Sequence, residues 1–290
     1  MVCVRSPRRD EAPAVHAVTL ARDVADVGRP DHTLQDVLDD WGLPERELEH
    51  DVFVAEDGGT LVGWARVDTG GARVSVHPDH EGRGVGTLLR TAVEARLRER
   101  GLPLRQVSVT ANAGAAAHLR AAGYERVETY QRLRADLDVV PPPLDAGVRR
   151  FDLDAEGESE AIHALIEAAF TEIAFNVPQS YARWHAEQAA GSEPGFRLAI
   201  DDDEGPAGAA VGYRREGDVG FVALLAVAGR ARRRGHARAL LLALFEAFRA
   251  AGLTAAELSV AGTNASAGGL YASVGMTPDF SVERWERKPP

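Results

Sequence analysis

Cys3 is the single cysteine in a chain of 290 residues. One thiol cannot form an intramolecular disulfide or supply a thiolate metal cluster. No run of about 18 apolar residues is present to span a bilayer. The opening MVCVRSPRRDEAP lacks the apolar stretch of a signal peptide, so a cytoplasmic protein is expected. Positive charge is in deficit: 33 Lys and Arg against 44 Asp and Glu leave a formal net charge of -11. That balance argues against nucleic acid or an anionic membrane as a partner, and it is compatible with an amine-bearing one.

The residues that are present, 45% hydrophobic and 27% charged, are those of a globular protein, and the length suggests two domains. In the first half, two runs, Val52 to Ala55 and Leu61 to Val67, flank Asp57-Gly58-Gly59 as a hairpin would. A strand through Val74, Ser75 and Val76 then leads into a glycine-rich bend, Gly82, Arg83, Gly84, Val85 and Gly86, and a helix with Leu89, Val93 and Leu97 on one face. After a strand at Val107 to Val109, Asn112 to Ala122 reads as an Ala-rich helix, and Tyr124 to Leu137 supplies the last strands. The three prolines of DVVPPPLDAG can continue neither a helix nor a central strand. We therefore expect a first domain over 1–140, a linker over 141–147 and a second domain over 148–290.

Beyond the linker the order restarts. Val76, Gly84 and Gly101 match Val227, Gly235 and Gly252 at a shift of 151, and Asn112 and Gly123 match Asn264 and Gly275 at 152. A period this long is a duplicated domain rather than a solenoid. The second hairpin is expected around DDDEGP, whose acidic run Asp201 to Glu204 reads as a solvated turn, because no patterned partner ligands accompany it. No metal is expected. Each half should be an α/β (α+β) domain, a mixed and mostly antiparallel sheet flanked by helices.

The stretch LLAVAGRARRRGHARALLL carries the chemistry. Leu225, Ala226 and Val227 end a strand, while Leu241, Leu244, Phe245 and Phe248 form the stripe of a packed helix. The intervening bend lies at a helix N-terminus, where orphan N-H groups and the helix dipole favour a phosphate or pyrophosphate. Gly235 and Ala237 let a ligand approach the main chain. Arg232, Arg233 and Arg234 add positive potential, and His236 opens the helix.

Arg232-x-x-Gly235-x-Ala237 after a strand resembles the acyl-CoA signature of the GNAT superfamily of N-acetyltransferases, Arg/Gln-x-x-Gly-x-Gly/Ala. The resemblance spans nearly the whole chain and is to two-domain proteins of the mycothiol synthase type. It implies that the loop binds the CoA pyrophosphate, that the strand ahead of it splays from its neighbour, and that acetyl-CoA is the co-substrate. The family's Asn-x-x-A-x-x-L-Y-x-x-x-G-F motif resembles NASAGGLYASVGM, placing Asn264, Leu270, Tyr271 and Gly275 on its positions. This implies Tyr271 as the acid that protonates the departing thiolate. A phenol with a pKa of about 10 stays protonated beside a thiol of about 8.5.

The first half departs from both motifs. Leu119 stands where Tyr271 does and Glu81 where Arg232 does, so this domain is expected to be degenerate, with CoA occupancy open at its intact Gly82 to Gly86 bend. Glu172, Tyr181, His185, Asp218 and Glu257 are titratable residues of the second half, and no spacing among them identifies a base. Phe221 occupies the strand region where the resemblance to mycothiol synthases implies a base Glu. The expected function is transfer of an acetyl group from acetyl-CoA to a primary amine of a small molecule. Mycothiol-type acetylation of a cysteinyl amino-sugar conjugate and a non-catalytic acyl-CoA-binding role are the alternatives. Two halves of one fold suggest a monomer packed as a pseudo-dimer.

Overall fold

The computed structural model describes residues 2–144, 146–155, 157–171, 176–215, 217–262 and 265–288. In chain order its elements are β1 (Cys3–Arg5), α1 (Ala12–Val27), α2 (Leu34–Trp41), α3 (Leu48–Asp51), β2 (Val52–Asp57), β3 (Thr60–Asp68), β4 (Gly71–Val76), α4 (Val85–Glu99), β5 (Leu104–Val109), α5 (Ala113–Ala121) and β6 (Glu125–Asp136). There follow β7 (Arg149–Arg150), α6 (Glu158–Phe170), α7 (Tyr181–Gly191), β8 (Arg197–Asp202), β9 (Gly205–Arg215), β10 (Val219–Val227), α8 (His236–Ala250), β11 (Ala255–Ala261), α9 (Ala265–Ser273) and β12 (Thr277–Arg287). Among the described residues no helix is long and apolar enough to cross a membrane.

Contacts divide the chain into two compact units, Met1–Tyr130 with Phe280–Pro290, and Gln131–Asp279. The division therefore falls at Tyr130 and again at Asp279, whereas the proline pattern points to 141–147. The reason lies in the last strand of each half. In β12, residues from Val282 to Arg287 pair antiparallel with β5, and Trp285 fills the core beneath α4. In β6, Leu133 and Ala135 belong instead to the α8 core, beside β11. A hydrophobic pattern shows that a strand is half buried; it does not say in which core.

The first unit orders its strands β1-β2-β3-β4-β5-β12. Only the β4/β5 pair is parallel. The second orders them β7-β8-β9-β10-β11-β6, with β10/β11 parallel and the pairs from β7 to β10 antiparallel. The second hairpin turn is tighter than the sequence pattern suggests. Asp201, Asp202, Gly205 and Pro206 are strand residues in register across it, leaving Asp203 and Glu204 at the tip.

Each sheet carries helices on both faces. In the first unit Val85, Leu89, Val93 and Leu97 place the buried stripe of α4 on one face, and Val15 and Val18 of α1 meet Trp41 and Trp64 on the other. In the second unit the predicted stripe of Leu241, Leu244, Phe245 and Phe248 is fully buried under α8, and Ile162, Ile166 and Trp184 cover the opposite face. Burying each such side chain is worth about 1.5–3 kcal/mol. At two corresponding glycines α4 and α8 come close to the strands. Gly63 lies opposite Val76 and Gly208 opposite Val227. A Cβ there would fall 2.9 Å from Leu89 and 3.0 Å from Leu240, so each helix rests directly on the sheet where its preceding strand ends.

Candidate active site

Strand β10 keeps its parallel partner only part of the way. Its rungs with β11 run from Val219 opposite Ala255 to Val222 opposite Leu258, while β9 stays paired through to Val227 opposite Gly208. A register shift between Val222 and Leu224 marks the point of departure. Leu225, Ala226 and Val227 are thus held along one edge and have no ladder partner in β11 along the other. Their side chains divide between the two faces: Leu225 packs toward the α8 core and Ala226 is buried against the α6 and α7 side. Toward the gap Leu225 and Val227 turn their main-chain N-H and C=O groups, while those of Ala226 are turned to Ala209 on β9.

The chain then makes a 3-10 turn at Gly229–Ala231 and enters the loop. Arg232 is extended, with φ -63° and ψ 155°. Arg233 takes φ +65°, and Gly235 takes φ +86° as the N-cap of α8 without a side-chain cap. The first N-H groups of the helix therefore have neither an intrahelical acceptor nor a capping side chain. Arg232, Arg233 and Arg234 are exposed around them, and His236 and Ala237 are half-buried in the first turn. Arg230 is committed elsewhere, at 2.8 Å from Asp202, and Arg149 pairs with Asp201. The acidic turn thus holds two arginines rather than simply facing water.

The first unit repeats this geometry with different side chains. Its β4/β5 rungs are Ala72 opposite Gln106 and Arg73 opposite Val107, after which β4 continues on β3 alone. Glu81 has φ -65° and ψ 157°, Gly82 φ +70° and Gly84 φ +83°, within a few degrees of Arg232, Arg233 and Gly235. Gly84 likewise caps α4 without a side chain. The diverging strands and the loop bound a cavity of about 560 Å³, lined by Val74, Val76, Gly82, Gly84, Gly86 and Leu119 among others. Ser75, Arg83 and Val85 do not line it. Ser75 is buried and alternates to the other face of β4, Val85 is buried in the core under α4, and Arg83 is exposed. Gly86 falls in the first turn of α4 rather than in the bend.

Tyr271 lies on α9 and packs, half-buried, against the α8 core. Burial pushes its phenol above the ordinary 10.0, and among the described residues its hydroxyl takes no hydrogen-bond partner. At neutral pH it is an uncharged phenol. Leu119 on α5 is 4% exposed and has nothing to donate. Beside it, His118 accepts from Arg90 Nε at 3.2 Å, and burial together with the Arg90 charge holds its imidazole below the usual range. Asn264, with Glu172, lies outside the described residues.

The base candidates are not brought together. Glu257 is 2% exposed and bound by Arg132 at 3.3 Å and by Arg134, so it is committed to ion pairs. The Tyr181 hydroxyl shares a 2.6 Å hydrogen bond with Ser159, and His185 Nε2 lies 3.3 Å from the Leu153 carbonyl oxygen. Asp218 sits just before the first residue of β10, at the end of that strand away from the loop. Sequence reasoning missed the group around Phe221, which pairs with Glu257 in register one rung before the strands part. Arg132 stacks over its ring at 4.7 Å and Arg215 at 4.1 Å. Arg132 and Glu257 are 125 residues apart, a separation at which no local motif announces a contact.

The profile of the Acetyltransferase (GNAT) family matches residues 17–124 and again 159–276. The chain is 26% identical over 248 residues to a mycothiol acetyltransferase of Actinosynnema mirum, covering 78% of this chain and 80% of that protein. It is 30% identical over 263 residues to a mycothiol acetyltransferase of Acidothermus cellulolyticus, covering 81% and 79%. Its fold matches that of a tandem GNAT protein from the clavulanic acid biosynthesis pathway over 100% of both chains, with a TM-score of 0.75 at 18% identity. With two matches to one family profile, two loops of one geometry and two sheets that part at the same place, the chain belongs to the GNAT family as a tandem acetyltransferase.

Proposed function

We propose that this protein moves the acetyl group of acetyl-CoA to a primary amine of a small molecule, at a site built from the β10, α8 and α9 segments of its second half. Family membership implies acetyl-CoA as acyl donor. The observation that carries the placement is the gap between β10 and β11, which opens at Leu224 and leads to the uncapped N-terminus of α8. The N-H groups after Gly235, with Arg232 to Arg234 around them, suit a pyrophosphate. The main-chain groups of Leu225 and Val227 along the edge that β11 leaves unpaired suit the amides of a pantetheine arm and the thioester carbonyl.

The reaction needs an unprotonated amine, stabilisation of the carbonyl oxygen as it gains charge, and a proton for the leaving thiolate. Main-chain N-H groups at the free edge meet the second need. Tyr271 meets the third: as the C–S bond breaks, its electron pair stays on sulfur and the sulfur takes the phenolic proton. With Glu257 tied to two arginines, we assign the attacking amine's proton to solvent. The first half lacks the acid at Leu119 and is assigned no chemistry, and the chain is expected to act as a monomer.

The names of the two relatives support a second reading, acetylation of a cysteinyl amino-sugar conjugate as in mycothiol formation. Against it, Phe221 stands in the strand region where such a base Glu is expected. An amine panel assayed by thiol release tests both. Turnover with simple amines but not with the cysteinyl conjugate supports the first reading, the converse supports the second, and no turnover at all removes both.

A further inference from the structure

Arginines line up across the sheet of the first unit. Arg66 of β3 sits directly opposite Arg73 of β4, Arg73 opposite Val107 of β5, and Val107 opposite Arg284 of β12. The row is on the face away from α4, since the alternating neighbours Ala65, Val67, Ala72 and Trp285 fill the α4 core. Arg105, two residues before Val107, adds a fourth guanidinium to that face. The four arginines line a cavity of about 210 Å³ at the start of β4, where Gly70 and Gly71 add no side chain. Among the described residues Asp68 alone brings a carboxylate to the lining, and its Oδ1 accepts from the Gly70 N-H at 2.8 Å to close the β3–β4 turn.

Like charges directly opposite each other on neighbouring strands are destabilising, so such a row needs compensation. Part of it comes from behind. Asp40 of α2 accepts from both Arg66 and Arg46. His32, in the turn between α1 and α2, accepts at Nε2 from Arg73 at 2.9 Å, which leaves its proton on Nδ1, 3.0 Å from Asp23 Oδ2. Arg105 Nε donates to Glu286 at 2.7 Å, and Arg284 stacks over the Tyr130 ring at 5.0 Å. The guanidiniums are thereby held in place. Each carries five N-H donors, enough to serve an anchor and a ligand at once.

We propose that this cavity binds a small dianion, a phosphate or a dicarboxylate, held between Arg73 and the arginines around it. Planar guanidiniums fixed by anchors match the paired oxygens of such anions. Four positive side chains against one carboxylate stand out in a chain whose formal net charge is -11. The volume lies below the roughly 300–1,000 Å³ of usual small-molecule pockets, so the ligand has few heavy atoms. A bound dianion also offsets the repulsion between Arg66 and Arg73, which gives it a reason to prefer the folded chain. The site is not that of the glycine-rich loop. It lies at the opposite end of β4, where β4 and β5 are still paired at Ala72/Gln106 and Arg73/Val107, and neither Gly82 nor Gly84 lines it. It belongs to the first unit alone and stands independently of the chemistry of the second half.

The test is calorimetric titration of the full chain with inorganic phosphate, malonate and acetate at constant ionic strength, with folding checked by circular dichroism. Phosphate or malonate should bind about tenfold or more tightly than acetate, which has one charge. Arg73→Gln and Arg284→Gln should each weaken that binding by about tenfold or more. Asp68→Asn keeps the oxygen that accepts from Gly70 and removes the opposing charge, so it should tighten binding about threefold or more. This variant and the ratio of malonate to acetate decide the matter if the arginine variants do not fold. Tighter binding of phosphate would make the ligand a phosphate ester and tighter binding of malonate a dicarboxylate; both outcomes support the site. No saturable binding, acetate bound as tightly as malonate, folded arginine variants that bind as the parent does, or an Asp68→Asn variant that binds no tighter would each overturn the proposal. So would binding that is lost in Gly82→Glu or Gly235→Glu, which would put the anion at one of the loops.

Discussion

Trp285 Nε1 donates a hydrogen bond of 2.9 Å to Ser108 Oγ across 177 residues of chain. Both residues are buried. Trp285, opposite Gln106 in the β12/β5 register, is 1% exposed in the core that α4 covers. The final strand of the polypeptide is therefore part of the unit that begins at its N-terminus.

A chain truncated after Asp279 should lose the cooperative unfolding of the first unit, because β5 would face water along one edge and the core would lose its largest side chain. Trp285→Ala in the full chain should destabilise that unit by about 3–5 kcal/mol. Hydrogen exchange reads both, and native protection of β5 and α4 amides in the truncated chain would contradict the assignment.

Acetyl-CoA should raise the melting temperature of the parent, since a ligand bound only by the folded state stabilises it by mass action. Gly235→Glu should shrink that rise markedly. Nothing crowds a Cβ at Gly235, so the loss would come from the carboxylate's charge and from a left-handed φ that disfavours any side chain. A variant stabilised as much as the parent would place the pyrophosphate elsewhere.

Tyr271→Phe should lower turnover by roughly 10²-fold or more with acetyl-CoA binding near the parent value. The raised phenol pKa carries a sign. Tyr271 stays protonated past the ordinary 10.0, so any fall in rate owed to its ionisation begins only at higher pH. Leu119→Ala should leave the rate per folded molecule almost unchanged. A parental rate in Tyr271→Phe would remove Tyr271 from the role, and an alkaline limb below pH 10.0 that this variant abolishes would contradict the raised phenol pKa.

Arg233 holds φ +65° where Gly82 holds +70° in the other loop. A side chain in this region costs about 1–2 kcal/mol relative to glycine. Arg233→Gly should therefore raise the melting temperature of the second unit by about 2–8 °C. A fall in melting temperature would mean that the arginine's contacts outweigh its backbone strain.

Arg5 donates to Glu11 at 2.6 and 2.8 Å, and this hydrogen bonding holds the Glu11 carboxyl down to about 2. Its ordinary value is 4.5. Because the folded value is the lower one, the stabilisation is complete above the unfolded value and is lost as the pH falls through the folded one. Melting temperature should decline from about pH 4.5 toward 2, and Glu11→Gln should cost about 1–3 kcal/mol at neutral pH and flatten that decline. Parallel pH curves for parent and variant would count against the pair.

The sequence by itself determined the local elements and their repetition. Helix stripes such as Leu241, Leu244, Phe245 and Phe248, the hairpins, and the two glycine-bearing bends before α4 and α8 follow from periodicity and backbone conformation, which act over a few residues. So does the contrast of Tyr271 with Leu119, since both stand at fixed distances from those landmarks. Tertiary structure alone decided which core each half's last strand enters, because β6 and β12 read alike as half-buried strands and partner choice depends on packing far along the chain. It decided that Glu257 is tied to Arg132 and Arg134 rather than free to act as a base, and that Glu81 is answered by Arg22 from α1. Charge pairs of that kind form between residues distant in sequence, and their energies exist only once the sheet has brought them within a few ångströms.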